Sequence, residues 1–369
     1  ELVEVASGLT VTNEIDARPY KDNSYARIEK TGTGNTTLSG RLHLLADDYN
    51  GSRVVQIANT GTGNFTFSGD IDLTAGSDNR ALSIENAVLF SGSITNPGAH
   101  GLVVRGSGMP TFNGAVKANI YQDAGTATIG PGARFEDATI YQLGTANNSY
   151  QITNDATLTF GTSNTYSLSI AAGFYHSGAT PGVRQFNFTH TNGTVTLSGG
   201  VEIGKGATDM GYYLKFSNTQ PVVIQGTLTG TGGVHKVGSG LLTMAGNASY
   251  ASETLIENGS LKLGTSTAIG DAEIVLGYNT TANNVALYVA NGKTLATPVS
   301  VVAGSGTRTI GMDEAGSATL NADIALSKDV VLTAPASATL TVADGTKKIT
   351  GAFSVTKQGD GTVIIAGAN

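Results

Sequence analysis

Asp70 and Asp72 stand two residues apart in NTGTGNFTFSGDIDL, residues 59–73. On a strand that spacing puts both carboxylates on one face. A carboxylate pair on the flank of a β-helix is the equipment of polysaccharide lyases and hydrolases, in which acids cluster on one exposed face. Asp47 and Asp48 are candidates to join them. The neighbouring repeat, KTGTGNTTLSGRLHL at residues 30–44, puts Arg41 and His43 at the corresponding positions. A duplicated active site would keep its acids and bases. These copies keep glycines, threonines and alternating apolar residues instead. An exposed Arg41–Asp70 pair between stacked repeats, worth about 0–1 kcal/mol, explains the charges without catalysis.

Other chemistry is thinly represented. The five histidines, His43, His100, His176, His190 and His235, sit apart among small polar residues, with no HExxH-like spacing, and read as surface side chains. Serine is abundant but forms no G-x-S-x-G elbow. Gly292-Lys293-Thr294 resembles the end of a phosphate loop, yet Leu287 occupies the place of its first glycine. The G-x-G pairs at Gly32/Gly34, Gly61/Gly63, Gly238/Gly240 and Gly304/Gly306 are followed by Thr37, Thr66, Thr243 and Thr309, so none completes G-x-G-x-x-G and all read as turns. No calcium-binding glycine–aspartate tandem occurs; Gly359-Asp360-Gly361 and Asp47-Asp48 are single instances. Tyr20, Tyr25, Tyr49, Tyr121, Tyr141, Tyr212 and Tyr213 are available for a binding face or for coil corners. No RGD tripeptide occurs; Arg105-Gly106-Ser107 departs from it. The expectation is therefore no catalytic, cofactor or metal residues.

The elements that must carry these residues follow from the repeats. Leu38-Ser39-Gly40-Arg41-Leu42 returns as Phe67-Ser68-Gly69-Asp70-Ile71, Phe90-Ser91-Gly92-Ser93-Ile94 and Phe112-Asn113-Gly114-Ala115-Val116. Further copies are Leu197-Ser198-Gly199-Gly200-Val201 and Ile224-Gln225-Gly226-Thr227-Leu228, with echoes at Met244-Ala245-Gly246 and Ile365-Ala366-Gly367. A repeat of roughly 20–29 residues indicates a solenoid or propeller. Each copy alternates with period two, which means strand. Stacking sets Leu38, Phe67, Phe90 and Phe112 in one inward column and Leu42, Ile71, Ile94 and Val116 in a second. Gly40, Gly69, Gly92 and Gly114 lie between, at a bend or a site too crowded for a Cβ. A propeller needs longer blades, usually with an aromatic signature, and the chain has no Trp. The prediction is an all-β, right-handed parallel β-helix spanning residues 1–369, of roughly 15 coils. Residues 1–27 are its least repetitive part and are expected to form an opening or capping coil. Residues 205–220 break the pattern and read as a loop excursion.

Composition agrees. Among 369 residues only 13% are charged, against roughly 25% in ordinary soluble domains, while 40% are hydrophobic and 50 are glycine. The net charge of −7 and the lack of any Lys/Arg cluster argue against nucleic acid as a partner. No apolar run approaches the roughly 18–20 residues of a spanning helix. Cysteine is absent, so disulfides supply no stability, which suits a chain exported unfolded. The opening ELVEVASG, with neither Met nor leader, reads as a processed or excised segment.

Residues 236–264, KVGSGLLTMAGNASYASETLIENGSLKLG, resemble the autotransporter-associated β-strand repeat of bacterial passenger domains. Lys236, Gly238, Gly240, Leu242, Met244, Gly246, Tyr250, Thr254, Ile256, Gly259, Leu261 and Gly264 carry the resemblance. Asn247 comes one position early, Ser252 stands where the family often has glycine, and Ser266-Thr267-Ala268-Ile269-Gly270 resembles the usual continuation. A second copy, 354–369, starts over at Lys357-Gln358-Gly359-Asp360-Gly361 and stops partway. The resemblance implies a non-catalytic passenger segment, exported through the periplasm to a Gram-negative surface as stalk or adhesin. It also implies a C-terminal outer-membrane β-barrel in the full-length protein. Expected partners are a host-cell, matrix or glycan ligand, with self-association through coil ends or flank. The alternatives are an extracellular polysaccharide-active enzyme and a self-assembling toxin or assembly subunit.

Overall fold

In a computed structural model, the described residues are 2–19, 24–45, 53–73, 80–95, 101–106, 108–122, 125–130, 134–135, 139–142, 156–160, 165–166, 169–172, 184–188, 191–197, 199–203, 213–264, 269 and 273–367. Every regular element among them is a strand, and every described pairing is parallel. The molecule is a β-solenoid, divided into compact units at 1–184 and 185–369.

In the first unit the chain visits three sheets in turn. The coil Ser24–Lys30, Thr36–Leu38, Leu42–Leu44 is followed by Arg53–Asn59, Phe65–Phe67, Ile71–Asp72, and then by Arg80–Glu85, Ala87–Phe90, Ile94–Thr95. Residues 2–17 already form a three-strand coil, Leu2–Val5, Thr10–Val11 and Ile15–Ala17. The first inward column forms as the repeats require: Leu38 pairs with Phe67, Phe67 with Phe90, Phe90 with Phe112. All four are buried, and the three rings follow one another at 5.4 and 5.7 Å. Leu42, Ile71, Ile94 and Val116 form the second column. A fully buried large apolar side chain contributes roughly 1.5–3 kcal/mol, and no single coil can bury its own.

The glycine column between them is a backbone-on-backbone contact. A Cβ on Gly69 would lie 2.0 Å from the Gly40 carbonyl oxygen, and one on Gly92 equally close to that of Gly69. Each corner packs against the one below, and only hydrogen fits in the gap.

The second unit uses the same grammar. Leu197, Ile224, Met244 and Leu263 form one buried file. From Thr294 onward the third side of each coil is built by Thr294–Leu295, Gly316–Leu320, Ala338–Val342 and Thr362–Ile365. Within the stretch 205–220 expected to be a loop excursion, residues 205–212 lie outside the described residues and Tyr213–Asn218 is a regular strand paired with Gly233–Lys236. Its alternation, Leu214, Phe216 and Asn218 inward, was masked in the sequence by the outward Tyr213, Lys215 and Ser217.

Candidate functional site

The charges singled out by spacing do gather on one outer face, that of the strands Ile15–Ala17, Leu42–Leu44, Ile71–Asp72, Ile94–Thr95 and Ala115–Lys117. His43 is in register with Asp16 on one side and Asp72 on the other. Its Nδ1 lies 3.4 Å from Asp72 and its Nε2 3.6 Å from Glu14. Both ring nitrogens face carboxylates of adjacent coils. Asp70 and Asp72 share the face, but their partners differ. Asp70 Oδ1 accepts the Ser93 amide of the next coil at 3.0 Å. The expected Arg41–Asp70 ion pair is not formed; Asp70 instead caps the Ser93 amide of the next coil. Asp47 and Asp48 lie outside the described residues.

The Asp70 contact belongs to a set. Asn35, Asn284, Asn291, Asp323 and Asp329 each place Oδ1 on a main-chain N–H of the following coil, at 2.7–2.9 Å. These are inter-coil caps. They satisfy the amide left over where a strand begins, as an N-cap does for a helix.

A second titratable cluster lies on the outer face of the second unit. Tyr213 Oη donates to Glu253, and His235 Nε2 lies 2.7 Å from Glu257, with the tyrosine ring edge-on to the imidazole. His235 is buried, which corrects its reading as a surface side chain. Its neighbours Gly233 and Val237 offered no sign of this, because Tyr213 and Glu257 come from adjacent coils. Burial pulls the imidazole below its ordinary range, Glu257 pulls it back up and Lys215 opposes. Burial, then Glu253, pushes the Tyr213 hydroxyl well above its usual value. A third network ties three coils of the first unit: Arg27 reaches Glu29, Gln56 and Glu85, and the two carboxylates raise its guanidinium further.

The remaining candidates separate. Gly292-Lys293-Thr294 is a tight turn in which Gly292 has φ +71° and the Lys293 amide donates to Ala290. Tyr25 is exposed and Tyr121 half-buried. The side chains of Tyr20, Tyr49, Tyr141, Tyr212, His100, His176 and His190 lie outside the described residues. No group of three metal-ligating side chains occurs among the described residues.

Sequence reading missed the buried cations. Lys30, Lys236 and Lys357 each begin a K-x-G-x-G corner, and each folds its side-chain nitrogen back onto the carbonyl oxygen two residues on, Gly32, Gly238 or Gly359. Lys30 and Lys236 are fully buried. Arg308, also fully buried, donates to the carbonyl oxygens of Asn283, Val302, Ala303, Gly306 and Thr307. The signal was present, since the same five-residue pattern occurs three times with lysine first.

No protein-family model matches the chain, and no solved structure matches it significantly. Over 98 residues, 27% of its length, it is 35% identical to "Uncharacterized protein YuaQ" of Escherichia coli (strain K12). The chain spans 6% of the length of that curated relative.

Proposed function

We propose that this chain is a non-catalytic, surface-exposed β-solenoid segment, a stalk or adhesive rod of an autotransporter-like protein. The observation that carries this reading is what the outward polar side chains do: Asp70 and five like it cap amides of the next coil, and His43 is held between carboxylates of adjacent coils. Among the described residues, Asp70, Asp72 and His43 are already engaged in joining coils. The resemblance of residues 236–264 adds export through the periplasm, display at the cell surface and a downstream outer-membrane β-barrel in the parent protein. The partner is a host-cell, matrix or glycan ligand met along an outer face.

The test is a purified chain offered a panel of extracellular glycans, with reducing-end or unsaturated products followed over a day. No turnover is expected, and the Asp70→Asn/Asp72→Asn double variant should bind immobilised cells or matrix as the wild type does. Turnover that vanishes in the double variant would make the chain an enzyme.

A further inference from the structure

The three K-x-G-x-G corners differ in what receives the ammonium. Lys30 has the Gly32 and Thr62 carbonyl oxygens and the Asn59 side-chain oxygen, at 3.5, 2.8 and 3.3 Å. Lys357 folds onto the Gly359 carbonyl oxygen. Lys236 is fully buried, and its described acceptors are two carbonyl oxygens, Gly238 in its own corner and Asn258 in the next coil. Carbonyl oxygens stabilise a positive charge without neutralising it, and a charge taken out of water without a counter-ion is costly.

The corner has no slack. A Cβ on Gly238 would fall 2.2 Å from the Asn218 backbone nitrogen and oxygen, and Gly240 donates to the Asn218 carbonyl at 2.8 Å. The lysine cannot swing to water while residues 237–240 stay seated on Asn218. The charged and titratable groups on the packed strands face elsewhere: Tyr213 with Glu253, His235 with Glu257, and Lys215 are on the outer side of the sheet. Phe216 and Ile256 flank the lysine from the coils on either side.

We propose that the corner 236–241 is an acid-sensitive hinge, closed over the neutral Lys236 amine and opened when that side chain takes up a proton. Burial pulls the amine from its ordinary 10.5 down to about 7. A lysine with a lowered folded value destabilises the closed state when charged. The closed corner therefore gains stability as pH rises from about 7 toward 10.5, and the full penalty is present below about 7.

The experiment is hydrogen exchange at the amides of residues 237–242 between about pH 5.5 and 8.5, corrected for the intrinsic chemical rate. Wild type should lose protection by roughly tenfold or more on acidification, Lys236→Met should be level, and His235→Gln should keep the wild-type slope. Should Lys236→Met fail to fold, Lys236→Gln keeps a donor without the charge and carries the same expectation. Level wild-type protection, a slope that survives loss of Lys236, or a slope that disappears in His235→Gln would each overturn the hinge.

Discussion

Five carbonyl oxygens from two corners converge on the guanidinium of Arg308. Burial lowers its pKa, yet an arginine remains charged at any pH the fold survives. Arg308→Met would strip four of those oxygens of their donor, the Thr307 oxygen keeping the Val285 amide, so chemical denaturation should show a loss of about 3 kcal/mol or more, and Arg308→Lys should recover only part because an ammonium has fewer donors. A variant within about 0.5 kcal/mol of wild type would mean that water reaches the corner. Asp70 offers a milder case. Its Oδ1 accepts one amide, which Asn can also do, so Asp70→Asn should be near neutral and Asp70→Ala should cost about 1 kcal/mol. An equal cost for both would assign the role to the charge and not to the cap. Spacing alone placed Asp70 on the right face. Its partner was hidden because Ser93 belongs to the next coil, 23 residues on.

At the scale of the element, strands and corners were legible to different degrees. Alternation in Phe65-Thr66-Phe67 and Val195-Thr196-Leu197 writes both the strand and its inward face into a short stretch. The corners were visible as glycine but not as mechanism, because what a glycine touches is the coil below. Gly200 and Gly226 show the difference. A Cβ on Gly226 would lie 1.9 Å from the Gly199 carbonyl oxygen, whereas one on Gly200 would first meet the movable Thr227 hydroxyl at 3.2 Å. Gly226→Ala must push a backbone apart and should cost on the order of 3 kcal/mol, while Gly200→Ala should stay within about 1 kcal/mol. Paired melts of the two variants decide it, and equal melting temperatures would mean that the corner tolerates a Cβ. The buried lysines escaped for a related reason. A lysine before glycine reads as a solvated turn residue, and its burial is created by Thr62 or Asn258 from the adjacent coil.

Across the whole molecule, each coil owes its stability to the coils beside it, as in other repeat stacks. The aromatic file makes this measurable. Phe90 is wedged between Phe67 and Phe112 in successive coils, and truncating a buried phenylalanine to alanine costs about 3–5 kcal/mol. In a globule with one core that loss would lower protection everywhere. In a stack it should be felt chiefly by the mutated coil and its neighbours. Phe90→Ala should therefore accelerate amide exchange in Phe65–Phe67, Ala87–Phe90 and Met109–Phe112 and leave Ala338–Val342, in the second unit, at the wild-type rate. Equal acceleration of all four strands would show that the two units unfold as one cooperative body. The nearest-neighbour account of how these repeats hold together would then fail.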